Sequence, residues 1–255
     1  MPTSRENGSL YTNIQNNIAT IEFGHPASNS FVSELLDRLA KEFDKISEDD
    51  TVHVIILKSE GDRAFCAGAS FDELVAVSTL EEGKVFFNGF ATVINAMRTC
   101  KKVIIGRIQG KTVGGGVGLA AACDYVFATE AASIKLSELT IGIAPFVIAP
   151  AVARKIGVAA MSELSLTPTE WKTAYWAQEK GLFSKVFDGV KDLDKELDFF
   201  TTNLSKYNPQ ALKDWKKILW ENTDHWDTLL PERAAITGKL AMSEFTKNAL
   251  SKFNK

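Results

Sequence analysis

An α/β layer architecture is predicted by three features of the chain. Two β-branched apolar runs flank a segment whose apolar residues recur at helical spacing. The alternation then continues through a glycine-rich segment around residue 115, and a tryptophan-bearing, helix-patterned part follows.

Residues 18–23 and 52–58 (VHVIILK) read as strands, the second buried on both faces. Between them Phe31, Leu35, Leu36, Leu39, Phe43 and Ile46 mark one face of a helix. Ser78 with Glu81 three residues later reads as a capping box, opening a helix that runs to about Arg98. A strand at 103–108 follows, then a glycine-rich turn at 111–118, a small-residue helix at 119–123 and a short strand at 124–128 (DYVFA).

Composition changes near residue 157. Fourteen of the 17 glycines lie at or before Gly157, whereas all five tryptophans (Trp171, Trp176, Trp215, Trp220, Trp226) lie beyond it, so the two parts do different jobs. Thr167, Pro168 and Glu170 supply an N-cap, a first-position proline and a third-position acid for a later helix. Stretches 193–204, 209–220 and 231–253 carry further helical periodicity. Most of the tryptophans are expected in the core, some at a subunit contact. The sequence shows neither an internal repeat nor a low-complexity linker.

Composition narrows the function. Hydrophobic residues at 45% and charged residues at 24% exclude a disordered or fibrous chain. A net charge of -3 excludes nucleic acid as the main partner. Cys66, Cys100 and Cys123 have neither CxxC spacing nor a disulfide framework, and are expected as buried thiols. Residues 1–10 are polar, unlike a secretory signal, and no run has the length of a membrane span, so no membrane partner and a cytoplasmic location are expected.

The chemistry is expected at two turns. Thr112 to Leu119 (TVGGGVGL) follows a buried strand and opens a helix, so bare backbone and helix-start N–H groups can meet an anion or a developing oxyanion. A dinucleotide site competes, but the glycines miss GxGxxG spacing; tight helix packing is the bland alternative. Ala64 to Asp72 (AFCAGASFD) forms a second small-residue turn after the 52–58 strand. Two donors from separate turns can converge on one oxygen, so the pair says more than either member.

These segments carry a family resemblance. AFCAGASFDEL and QGKTVGGGVGLAAACDYVFAT resemble two motifs of the crotonase (enoyl-CoA hydratase/isomerase) superfamily, and SIKLSELTIGIAP and GLFSKVF continue the match in order. The resemblance covers roughly residues 10–190. It implies a repeated ββα superhelix forming an acyl-CoA-binding core over 1–190. Residues 191–255 would form a helical region for trimerisation and active-site covering. It also implies an acyl-CoA thioester substrate, a homotrimer or dimer of trimers, and no cofactor beyond the CoA of the substrate. Oxyanion-hole N–H groups fall by resemblance on Ala69 and Gly115, and Ala67, Ser70 and Phe71 fall in the stretch that lines the CoA site.

Family hydratases use two glutamates. The first falls here on Gly118, the second on Glu138. Apolar sequence neighbours could desolvate Glu138 and raise its pKa towards that of a general base; a loop or capping carboxylate is the bland alternative. With one carboxylate, shifting a double bond needs only one proton carrier, whereas hydration needs two jobs done. GIAPF at 142–146 also resembles mitochondrial-type enoyl-CoA isomerases, with Phe146 and Val147 beside the acyl chain or in the core. The leading expectation is therefore conversion of a 3-enoyl-CoA to a 2-enoyl-CoA by Glu138. Alternatives are a hydratase or lyase on a branched or aromatic acyl-CoA, and a noncatalytic CoA-binding subunit.

Other groups are weighed and set aside. His25, His53 and His225 lack ligand spacing, and no metal site is expected. Ser137 has no histidine near it in sequence to make it a nucleophile. Asp72, Glu73 and Glu163 are candidate replacement carboxylates, with surface or capping roles expected. Lys247 and Phe253 resemble family tails that touch CoA, and a solvated helix explains them equally well.

Overall fold

The computed structural model describes residues 7–252. Strands β1 (Ser9–Gln15) and β2 (Ile18–Gly24) form an antiparallel hairpin. Its turn residues Asn16 and Asn17 both have positive φ (53° and 64°), the pattern of the two-residue turn that matches strand twist. Helix α1 (Ser33–Ser47) returns the chain to β3 (Val54–Ser59), parallel to β2.

A ββα unit then repeats. It begins with β3, β4 (Ala64–Cys66) and helices α2 (Phe71–Ala76) and α3 (Leu80–Thr99). The second turn is β5 (Val103–Ile108), β6 (Lys111–Val113) and α4 (Gly115–Ala122). The third is β7 (Tyr125–Thr129), β8 (Ile134–Lys135), a 3-10 turn at Glu138–Ile141 and α5 (Ala149–Leu166). Helix α6 (Ala174–Glu179) and β9 (Lys185–Phe187) complete this part. Each unit gives its first strand to a large sheet ordered β1-β2-β3-β5-β7-β9 and its second to a small parallel sheet ordered β4-β6-β8. The fold is thus the expected α/β superhelix, with the repeat in topology rather than in sequence.

The remaining helices are α7 (Val190–Leu204), α8 (Pro209–Leu219), α9 (Trp226–Ala241) and α10 (Glu244–Ser251). Strand β3 shows how the sheet is sandwiched: Ile55 and Leu57 join the cluster with α1 and α3, while Val54 and Ile56 join Leu193 and Leu197 of α7. That two-sided burial is why its sequence is a continuous apolar run. The rings of Phe23, Phe31 and Phe65 meet at centroid distances of 4.7 and 5.3 Å, each worth about 1.5–3 kcal/mol in burial.

Charged pairs tie the outer helices down. Arg107 on β5 holds Asp194 of α7 through two bonds of 2.6 and 3.0 Å. Buried Lys216 of α8 meets Asp124 at 3.0 Å, and the Trp220 indole donates to the other oxygen of Asp124 at 2.7 Å. Helices α3 and α9 touch at backbone level: a Cβ on Gly83 would lie 3.0 Å from Gly238 Cα. Among the described residues no helix is long and apolar enough to cross a membrane.

Several expectations need correction. The capping box of α3 is Thr79 with Glu82, one residue later than the spacing of Ser78 and Glu81 suggests; Ser78 donates its hydroxyl to Glu82 instead. The glycine-rich turn at 111–118 is a strand followed at once by a helix, with Gly114 alone as the joint. Thr167 ends α5 rather than opening a helix, because its N–H and hydroxyl both return to the Glu163 carbonyl; Thr173 caps α6. The 231–253 stretch is two helices, and Pro231 lies inside α9. Phe253 lies outside the described residues. Only Trp220 and Trp226 are core residues, whereas Trp215 and Trp171 are 58% and 40% exposed. The three cysteines are free and buried, as expected.

Candidate active site

The three short strands of the small sheet end at one cavity of about 180 Å³. After β4 come Ala67, Gly68 and Ala69; after β6 come Gly114 and Gly115; after β8 come Ser137 and Glu138. Each repeat therefore delivers one piece of the same wall.

At the first piece, Phe31 donates to the Gly68 carbonyl at 2.8 Å and accepts from the Ser70 N–H at 2.7 Å. Those two bonds flank Ala69 and leave its own N–H unused on that side. Gly68 has φ of 94°, and a Cβ there would come 3.3 Å from the Val113 carbonyl and 3.9 Å from the Gly115 nitrogen. The two turns thus lie backbone beside backbone, and the left-handed φ at Gly68 is one that a side chain would strain.

At the second piece, Gly114 turns the chain with φ 53° and ψ -120°, and Gly115 opens α4 with a first-turn N–H that the helix cannot satisfy. A side chain at Gly115 would strike the Phe90 ring. The sequence therefore reads glycine there for a packing reason as well as an electrostatic one.

Glu138 supplies the third piece, at the start of a 3-10 turn closed by left-handed Gly142 (φ 83°). A Cβ on Gly114 would lie 3.1 Å from Glu138 Oε1, so the carboxyl sits beside the joint that precedes the Gly115 N–H. The residue is half-buried, but its Oε2 is sealed from solvent and has no hydrogen-bond partner. Loss of hydration disfavours the charged form and pushes its pKa up to about 7, its own amide pulling slightly the other way. Against Gly142 rests α10, since a Cβ there would meet Thr246 Oγ1 at 2.7 Å.

The remaining residues named from the sequence separate clearly. Ala67, Ala69, Phe71, Gly115 and Glu138 line the cavity together. Ser70 does not: it is buried and its hydroxyl caps α2 by accepting from the Glu73 N–H at 3.3 Å. Gly118 is buried in α4 away from the lining, and a Cβ there would meet Ile148 Cβ at 2.7 Å and Ile94 Cδ1 at 3.5 Å. Ile148 itself lines the cavity, so hydrocarbon fills the space beside Gly118. None of the three spare carboxylates reaches the site. Asp72 is exposed, Glu73 accepts from the Ser33 N–H and hydroxyl at 2.9 and 2.7 Å, and Glu163 pairs with Lys172 at 2.9 Å.

Other lining residues escape a motif-based reading. Leu74, Phe87, Phe90 and Ile143 form apolar walls, and Thr237 enters from α9. The phenylalanines lie on one face of α3 and could have been found from helical spacing. Thr237 has no local signal, because it depends on the contact between Gly83 and Gly238.

The family model described as Enoyl-CoA hydratase/isomerase matches residues 13–251. The chain is similar to the "Probable enoyl-CoA hydratase" of Bacillus subtilis (strain 168), 28% identical over 240 residues covering 92% of both chains. It is also similar to the peroxisomal Delta(3,5)-Delta(2,4)-dienoyl-CoA isomerase of Arabidopsis thaliana, 27% identical over 203 residues covering 75% of this chain and 72% of that protein. The crystal structure of enoyl-CoA hydratase from Bacillus halodurans has the same fold, with a TM-score of 0.88 and 21% identity over 95% of this chain and 99% of that one. The sequence motifs, the repeated topology and these likenesses agree: the chain is an enzyme of the enoyl-CoA hydratase/isomerase family, within the crotonase superfamily.

Proposed function

We propose that this enzyme moves the double bond of a 3-enoyl-CoA to the 2-position, with Glu138 as the single base. One observation carries the reading. Glu138 is the only ionisable side chain lining the cavity among the described residues, and the space beside Gly118 is filled by Ile148.

In this reading the Glu138 carboxylate takes a proton from the carbon next to the thioester carbonyl. The C–H electrons pass into the conjugated system and charge accumulates on the carbonyl oxygen, which accepts hydrogen bonds from the Ala69 and Gly115 N–H groups. Such donors are worth about 10²–10³ in rate each. Glu138 then returns the proton two carbons further along, leaving a 2-enoyl-CoA and a restored carboxylate. A carboxyl with pKa about 7 suits both transfers, being neither too weak a base nor too weak an acid. Ala67 and Phe71 would hold the thioester end of the CoA.

Hydration is the second reading, favoured by the name of the Bacillus subtilis relative. It asks one carboxyl both to activate water and to supply the proton. Mass spectrometry and NMR after separate incubation with 3-hexenoyl-CoA and 2-hexenoyl-CoA in labelled water decide between them. Conversion of the first without net oxygen incorporation supports the isomerase; a 3-hydroxyacyl product from the second overturns it. The reading also includes a homotrimer or dimer of trimers, supported by the exposed Trp215 and Ile218 on α8 and testable by light scattering.

A further inference from the structure

We infer that the cavity selects thioesters whose acyl group is an uncharged hydrocarbon and rejects acyl chains that end in a carboxylate. The inference rests on the proposed function only in seating the acyl group in this cavity.

The walls offer hydrocarbon on several sides: Leu74 from α2, Phe87 and Phe90 from α3, and Ile143, Val147 and Ile148 from the segment after the Glu138 turn. Among the described residues no lysine, arginine or histidine lines the cavity. The hydroxyl of Thr237 is committed as a donor, to the Arg233 carbonyl at 3.0 Å. Ile148 and Ile94 close the place beside Gly118 where a polar side chain would project.

A second carboxylate brought into this space would lose its hydration without gaining a cation. It would also share the cavity with Glu138, a group of the same charge when ionised. Both effects oppose binding, and neither touches a methyl-ended chain, which gains from burial. Lys135, at the end of β8, lies 4.5 Å from the Trp171 ring centroid and is not part of the cavity lining.

Calorimetric titration of the wild-type protein with hexanoyl-CoA and with adipoyl-CoA tests this, because the two differ at the chain end and neither has a double bond to move. Hexanoyl-CoA is expected to bind at least ~100-fold more tightly. Phe146→Arg introduces a guanidinium at a partly exposed cavity position, and is expected to narrow the ratio at least tenfold, while Phe146→Gln leaves it in place. Equal affinities in the wild type, absence of binding by both thioesters, or an unchanged ratio in folded Phe146→Arg would each overturn the inference. Selective binding of hexanoyl-CoA by a protein that leaves 3-hexenoyl-CoA unchanged would support it while sinking the isomerase.

Discussion

Replacing Glu138 by glutamine should make the protein more stable in alkali relative to acid. The carboxyl has a folded pKa of about 7 against an ordinary value of 4.5, so the fold prefers it protonated. Below pH 4.5 it is protonated in both states and costs nothing. As pH rises through about 7 the unfolded chain gives up the proton more readily, and stability is lost. At ~1.36 kcal/mol per pKa unit the full loss above pH 8 is about 3 kcal/mol, and contact of the half-buried residue with cavity solvent reduces it to about 2 kcal/mol. At pH 5.5 the loss is already about 1.4 kcal/mol, or about 0.8 kcal/mol after the same reduction, so about 1.2 kcal/mol separates pH 5.5 from pH 8.5. Glutamine cannot ionise, so Glu138→Gln removes this slope. Any cost of burying its amide is the same at both pH values and cancels in the difference. For a chain of this length ~1.2 kcal/mol corresponds to about 2–5 °C. Thermal unfolding followed by circular dichroism at pH 5.5 and 8.5 should therefore show the variant gaining several degrees relative to wild type between the two conditions. A gain that is the same at both, or a relative loss at pH 8.5, would refute the claim that Glu138 is a desolvated carboxyl.

The same variant should lower isomerase turnover by ~10²–10⁴, and the wild-type kcat/KM should rise with pH through about 7, since the base must be ionised. Gly118→Glu should destabilise by about 1–3 kcal/mol in urea unfolding because Ile148 and Ile94 occupy its space, and should not create hydration of 2-hexenoyl-CoA. Gly238→Val should cost about 1–3 kcal/mol by forcing α9 away from α3, with a rise in KM as Thr237 withdraws from the cavity wall. Lys216→Ala leaves Asp124 buried without its cation and should cost about 3–5 kcal/mol by chemical denaturation.

Much of this fold is legible because its signals are local. The strand at 103–108 and helix α1 carry their periodicity in their own residues, and the structure places them where that periodicity says. The short strands β6 and β8 are illegible for the opposite reason: at three and two residues they have no period, and exist only because the superhelix lays them side by side. The end of α5 misled because Thr167, Pro168 and Glu170 satisfy the chemistry of a helix start equally well. At the site, the small-residue composition of the two backbone turns was legible locally, whereas Glu138 was reached only through the family resemblance. Ser70 lies off the cavity lining because a serine three residues before a glutamate is also a helix cap, and only coordinates show which way its hydroxyl turns. Ile148 was invisible because its importance is the volume it denies to a residue 30 positions earlier, a relation no local pattern records.

The delivery of one wall segment per ββα unit has a consequence for how such an enzyme can change. The two small-residue turns of the cavity come from the first and second units, whereas Glu138 arrives on the third. Under the proposed function, the base and the two carbonyl donors therefore stand on different repeats. A side-chain change after the third pair of strands can thus alter the carboxylate while both backbone turns, which use no side chain, keep their shape.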